Sequence, residues 1–493
     1  MRAALGVRRQ ALGIALIVLL GAAARFSGLS AQSFWGDEVI TSDLLRMGPG
    51  AMLAEIPSSE GTPPLYYLLA WPWVRVFGFG EAGIRSLSAV AGVLTIPAAY
   101  IALNQLGMRR AAWIGALFVA LSPVLVWYGQ EARSYSLFVL LAMLALVFFL
   151  RALQRDSSGD LAGWSLASSA MLLTHYFAAV VILPMALVLV TYGAMRRTSA
   201  VLIGLGPIAM TTVALLPLLA LQGSQGKQDW IGRIPFGTRG EQVPEQLIVG
   251  FSRLEAWPMI ALVALGALVF ALRSRTVAER RFASALAIVG AAAIVLPALT
   301  AAAPVDTFLT RNLIAAWPAI ALITALGLGT SRAGTAGLVG VGLVCLVSAF
   351  SIVEVRSDPR LQRPDWEVAA QQAGKPSSDR YVVSCCEGTE VPVRYYFGGT
   401  PADDDDGGPL VTDLVFVGPR HEFDDPGSCW WGAVCQTAIP SQGIPRPEGF
   451  ELVSEQAAGN LSVVRYRAAS PRRPVRFLSG IQDLEGGALL QAR

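Results

Sequence analysis

Six places in this chain carry residue types that do chemistry, and each borders a long apolar run. Phe34-Trp35-Gly36-Asp37-Glu38 sets two adjacent carboxylates just after the first run. Gln130-Glu131-Ala132-Arg133-Ser134-Tyr135 sits between two others. Arg85, His175, Asp306 and Arg311 fall at the ends of further runs. Carboxylates take protons, and guanidinium groups hold anionic oxygens through paired hydrogen bonds. Ionisable side chains beside hydrocarbon are functional candidates by default. Taken singly, Asp306 reads as a solvated loop charge or a helix cap, and Arg85 also has a plain interfacial reading. Together, from loops far apart in sequence, they point to one outward-facing polar cleft.

The elements that must position these groups are membrane helices. The chain has 493 residues, 54% of them hydrophobic and 15% charged, with a mean hydropathy of +0.53. Soluble proteins carry about a quarter charged residues, so a soluble enzyme, a disordered chain and a nucleic-acid binder are excluded. The balance is also uneven. Residues 1–353 hold 24 basic and 15 acidic residues, against 14 and 20 in residues 354–493. The chain therefore reads as a membrane domain, 1–353, followed by a soluble domain, 354–493.

A crossing needs about 20 mostly apolar residues. Eleven runs qualify, near 10–29, 83–106, 111–129, 133–152, 161–176, 177–195, 200–221, 255–272, 282–303, 312–329 and 335–353. The stretch 64–79 is apolar but short, rich in Trp and Tyr, and interrupted by Pro72 and Arg75. Inner loops attract basic residues. With 64–79 lying on the outer face, the inner side collects 14 basic residues, Arg109 and Arg110 among them, against three acidic ones. If 64–79 crossed, every later Arg pair would turn outward. It is therefore expected to be an interfacial helix within a first outer loop of about 30–82. A cleavable leader over the first apolar run is the other reading of residues 1–29. Either way residue 30 lies outside, as does the soluble domain.

Several motifs taken in order resemble one known family. They are Asp37-Glu38, Thr62-Pro63-Pro64-Leu65-Tyr66-Tyr67, Phe77-Gly78 followed by Arg85-Ser86, Ser122-Pro123 with Trp127-Tyr128, the stretch from Gln130 to Tyr135, His175-Tyr176, and Arg311 opening an apolar run. The set is similar to glycosyltransferase family 39, the protein mannosyltransferase and aminoarabinose transferase group, over about residues 1–330. The resemblance implies an all-α polytopic membrane protein of the GT-C type with about 11 transmembrane helices. It also implies an inverting transferase that moves a sugar from a polyprenyl-phosphate carrier to an acceptor glycan, lipid or protein, on the outer face of the plasma membrane. Asp37 is then the base for the acceptor hydroxyl, with Glu38 orienting it or binding the acceptor. Arg133, Arg311 and Arg85 would meet the donor phosphate. Glu131, Gln130, Tyr66, Tyr67 and His175 would line the substrate cleft.

This chain has Thr62 where the family often has His, and Asn312 follows Arg311 where the family often has Tyr. Without that His, Asp37 and His175 make a poor ligand set. No obligatory metal or other cofactor is expected. His175 can equally be a histidine satisfied inside a helix bundle.

The soluble domain reads as a small α/β module. Tyr381-Val382-Val383-Ser384 and Leu414-Val415-Phe416-Val417-Gly418 have strand character, and 364–373 reads as a helix with Pro at its start. Cys385, Cys386, Cys429 and Cys435 would lie on the oxidising side, so one or two disulfides are expected, with a four-Cys zinc site as the other possibility. Cys345 falls in an apolar run and reads as a small core residue. Two other functions use similar bundles. A ligase or polymerase with a lipid-diphosphate donor is the nearest; a lipid or sugar transporter would place its charges near the midplane.

Overall fold

The computed structural model describes residues 2–155, 157–192, 198–301, 306–376, 379–384, 389–401, 409–419, 447–473 and 488–491. The chain packs as two compact units, 1–29 with 44–354, and 30–43 with 355–493.

The first unit is helical. Helix α1 (Arg2–Phe26) precedes three short helices: α2 (Gly36–Arg46), whose last residues belong here, α3 (Pro49–Ser59) and α4 (Leu65–Phe77). The bundle continues with α5 (Glu81–Asn104), α6 (Arg109–Leu121), α7 (Pro123–Gly129), α8 (Tyr135–Gln154) and α9 (Ser158–Leu172). Then come α10 (Ala179–Thr191), α11 (Thr198–Gly223), α12 (Phe236–Val249), α13 (Trp257–Leu272) and α14 (Val277–Thr300). It closes with α15 (Thr310–Leu313), α16 (Trp317–Gly329) and α17 (Gly334–Ser357).

Each of the eleven runs expected to cross is occupied mainly by helix. Among the described residues, seven helices are long and apolar enough to cross a membrane on their own, with α15 and α16 counted as one, Thr310–Gly329. Taken together, the pair α6 and α7, bent by 53°, is also long and apolar enough. The bend has a local cause: Pro123 has no N–H to continue the helix. Ser122 caps α7 by accepting from the Leu125 N–H. The bend frees carbonyls at the end of α6, and Arg25, fully buried at the end of α1, supplies donors to Val119 (2.7 Å) and Ala120 (3.0 Å). The remaining expected runs form shorter helices, Ser158–Leu172, Tyr176–Thr191 and Trp257–Leu272. The turn at His175 separates the first two.

Helix α4 has 13 residues and rises about 20 Å, too little for a hydrocarbon core of about 30 Å. Its buried side carries Tyr66, Tyr67, Ala70 and Val74, while Leu68, Leu69, Val76 and Phe77 are exposed. Helix α8 is buried along most of its length, and it packs on α5 and α9. Helix α16 packs on α6, α13 and α14. Its backbone comes so close to α13 that a Cβ at Gly327 would lie 1.9 Å from the Ala267 carbonyl oxygen.

Among the described residues, the second unit holds a mixed sheet, the first turns of α2, and the helices α18 (Trp366–Ala373) and α19 (Glu390–Phe397). The strands are β1 (Arg380–Ser384), β2 (Thr400–Pro401), β3 (Val411–Pro419), β4 (Glu451–Ala458), β5 (Leu461–Arg472) and β6 (Ala488–Gln491), in the order β2-β6-β1-β3-β5-β4. Only β1 and β3 run parallel, with Val382 opposite Val415. Trp366, Val382, Val415, Val417 and Val463 share its core. Both strand-like runs are strands, and the helix begins two residues after Pro364. Cys385, Cys386, Cys429 and Cys435 lie outside the described residues, and so do the disulfides expected of them. Cys345 is a free thiol within α17.

Candidate active site

In the first unit the site is organised by the loop that α7 and α8 hold between them. The loop brings Arg133 to Glu60, which follows α3. The Arg133 Nη atoms donate to the two Glu60 carboxylate oxygens at 2.7 and 2.8 Å. Both side chains are buried. A charge pair removed from water is sustained by such two-bond geometry. Around it, the Thr62 and Tyr67 hydroxyls lie 3.3 Å apart. Burial pushes the Tyr67 hydroxyl well above the usual phenol range, so it remains a donor. Tyr66 Oη meets Ser88 Oγ at 3.4 Å, and Ser88 Oγ donates to the Arg133 carbonyl at 3.1 Å. Gln222 Nε2 donates to the Ile56 and Thr62 carbonyls on either side of Glu60, and Tyr176 Oη donates to Gln222 Oε1 at 2.7 Å.

His175 lies in the turn between α9 and the 3-10 turn Tyr176–Ala178, stacked on Phe138 with ring centroids 4.8 Å apart. Its Nδ1 accepts from the Phe177 N–H. Burial, then the charges of Arg311 and Arg133, lower its pKa far below the ordinary range, so the ring is neutral. The Arg311 guanidinium carbon lies 5.1 Å from the centroid of the Trp230 ring. Arg85 Nη1 donates to the Leu29 carbonyl at 2.8 Å. Gln130 Nε2 donates to the Arg25 and Ser27 carbonyls, tying the loop to the end of α1. Glu131 is buried in the same loop.

Asp37 and Glu38 belong to the second unit, in the first turn of α2. The chain ahead of them is held there. Ser33 Oγ donates to the Pro364 carbonyl and accepts from the Trp366 N–H, and the Phe34 N–H donates to Tyr396 Oη at 2.6 Å. Glu38 is fully buried and accepts from the Trp35 N–H at 3.4 Å, as an N-terminal cap does. Asp37 is half-buried. Among the described residues no three His, Cys, Asp or Glu side chains form a group that could hold a metal ion.

Tyr66, Tyr67, Arg133 and His175 are thus drawn toward one buried polar cluster. Glu60 and Gln222 were missed by sequence reasoning. A carboxylate two residues before Thr62-Pro63 was the available signal for Glu60; a lone Gln at the end of an apolar helix offered none. Arg239 was missed as well. It pairs with Asp306, and the pair accounts for the loop charge at Asp306.

The crystal structure of ArnT from Cupriavidus metallidurans in the apo state has a similar course, with a TM-score of 0.56 at 12% identity over 93% of this chain and 98% of that one. The chain has the GT-C glycosyltransferase fold. Residues 61–220 of the chain also match the family model for dolichyl-phosphate-mannose-protein mannosyltransferase, which bears out the resemblance to glycosyltransferase family 39. The structure of ArnT bound to undecaprenyl phosphate matches at a TM-score of 0.38 and 14% identity, over 92% and 97% of the two chains. The Archaeoglobus fulgidus oligosaccharyltransferase in complex with Zn and sulfate matches at 0.49 and 14%, over 82% and 67%. No curated protein sequence matches the chain.

Proposed function

We propose that this GT-C glycosyltransferase moves a sugar from a polyprenyl-phosphate-linked donor to an acceptor hydroxyl on the outer face of the plasma membrane, with inversion. The reading is supported by two buried guanidinium groups, Arg133 and Arg85, and by Arg311, whose charge acts on His175 together with that of Arg133, in a fold shared with ArnT, a protein also known bound to undecaprenyl phosphate. In this reading Asp37 takes the proton from the acceptor hydroxyl as its oxygen attacks the anomeric carbon. The bond from that carbon to the phosphate oxygen breaks, and the leaving phosphate gains negative charge. Fixed guanidinium groups stabilise charge that develops in the transition state. Arg311 meets that oxygen; Arg133 joins it by exchanging the Glu60 carboxylate for phosphate. Arg85 is the third cation. Glu38 holds the turn that carries Asp37, and Gln130, Glu131, Tyr66, Tyr67 and neutral His175 shape the substrate cleft.

The test replaces Arg311 with Lys in purified full-length protein and follows sugar release from a polyprenyl-phosphate donor. A planar two-bond contact cannot be copied by an ammonium group, so turnover should fall on the order of 10². Arg75→Lys, at an exposed position of α4, should leave turnover within about twofold of wild type. Equal behaviour of the two variants would contradict the role of Arg311.

A further inference from the structure

Arg239, on α12, is a charged side chain buried almost completely, and its guanidinium joins two separate stretches of chain. From Nη1 and Nη2 it donates to the two carboxylate oxygens of Asp306, at 2.7 and 2.5 Å. Nη1 also donates to the Phe308 carbonyl at 3.1 Å, and Nε donates to the Ile234 carbonyl at 2.9 Å. Asp306 in turn accepts from the Phe308 N–H at 3.1 Å. Phe308 packs with Val243 and Leu247 of α12, so ionic and apolar contacts fix the same segment.

The two stretches meet at Arg311. Residues 306–309 are neither helix nor strand and run directly, through an extended Leu309, into α15, where Arg311 is the second residue. Asn312 Nδ2 donates back to the Thr307 carbonyl at 2.9 Å, closing the turn around Arg311. The other stretch is the 3-10 turn Asp229–Arg233, which ends at Ile234 and carries Trp230. Trp230 is the ring over which the Arg311 guanidinium lies. One buried guanidinium therefore holds the backbone that carries Arg311 and the backbone that carries its aromatic support.

We infer that Arg239, with Asp306, is the positioning residue for Arg311, presenting the Arg311 guanidinium to the donor phosphate in a single orientation. The inference rests on the reading above in which Arg311 meets that phosphate. A group that develops charge contacts only in the transition state loses its effect when displaced by about 1 Å, a change that can cost on the order of 10²-fold in rate. A pair whose work was only to hold the fold would affect stability and turnover whatever residue stood at 311.

The experiment is a double-mutant cycle on full-length protein in detergent, with a polyprenyl-phosphate sugar as donor. Asp306→Asn and Arg239→Lys are each made in the wild-type and Arg311→Lys backgrounds, and kcat, KM and the thermal midpoint are measured. Asp306→Asn keeps the side chain's shape and one acceptor, so it carries the test if Arg239→Lys does not fold. The expected result is a loss of kcat of about tenfold or more in the wild-type background and less than about twofold in the Arg311→Lys background. The charge swap Arg239→Asp with Asp306→Arg should recover part of that loss. Equal loss in both backgrounds, or no loss in kcat, overturns the inference while leaving the proposed reaction standing. A wild-type protein inert toward every donor overturns the reaction and the inference together.

Discussion

Arg133 and Glu60 face each other fork to fork: both Nη atoms of the guanidinium donate to the two carboxylate oxygens, at 2.7 and 2.8 Å. Both side chains are buried. Removing one partner of a buried pair leaves an uncompensated charge and costs about 3–5 kcal/mol. Glu60→Ala should therefore lower the unfolding midpoint by several degrees, and Glu60→Ala with Arg133→Met should recover part of it. Differential scanning fluorimetry of the purified variants reads both. A midpoint unchanged by Glu60→Ala would mean that the pair contributes nothing to the fold.

Arg25 makes a second prediction. It lies at the end of α1 and supplies donors to the carbonyls of α6 that the Ser122-Pro123 bend releases. Arg25→Met keeps much of the bulk and removes every donor. Two buried carbonyls then go unsatisfied, at about 1–3 kcal/mol each. The variant should show faster hydrogen exchange at 119–130 than wild type, with exchange in the second unit unchanged.

The second unit should respond to acid through Asp413. Burial works to raise its pKa; bonds from Arg465 and Arg380 and their positive charges outweigh it, and the net value lies below the ordinary carboxylate range. The folded-state pKa is thus depressed relative to the unfolded chain. The stabilisation is present above the unfolded value of about 3.9 and is lost as pH falls through the lower folded value. Amides of β1 and β3 should lose protection in wild type as pH falls below about 4. In Asp413→Asn they should be weakly protected on either side of that pH, with little pH dependence.

Topology follows from the placement of Arg. A reporter fused after Arg110 should read cytoplasmic, and one fused after Val353 should read external. An external reading at Arg110 would mean that 64–79 crosses, and the assignment of the cleft to the outer face would fall.

How much of this was legible in the sequence depends on range. The crossing helices were legible because apolar length is a local property; the bend at Ser122-Pro123 within the run 111–129 was not anticipated, although Pro lacks a donor wherever it stands. The strands at Tyr381–Ser384 and Leu414–Gly418 announced themselves by unbroken β-branched and aromatic runs. The partners of the charged residues were not legible. Glu60 lies 73 positions from Arg133, and Arg239 lies 67 from Asp306. No periodicity links such pairs; only the packed bundle does. The hold of Ser33 and Phe34 on residues of the second unit was hidden for the same reason, because it joins positions more than 300 apart.

The proposed transfer is tested by release of polyprenyl phosphate from purified full-length protein, offered a panel of polyprenyl-phosphate sugars with acceptor hydroxyls, beside polyprenyl-diphosphate donors. Wild type should consume at least one monophosphate donor with transfer of its sugar and inversion at the anomeric carbon. Asp37→Asn, which keeps size and hydrogen bonding but removes the base, should be slower by a factor on the order of 10² to 10⁴ at an unchanged thermal midpoint. Consumption of diphosphate donors alone, or full activity in folded Asp37→Asn protein, would contradict it.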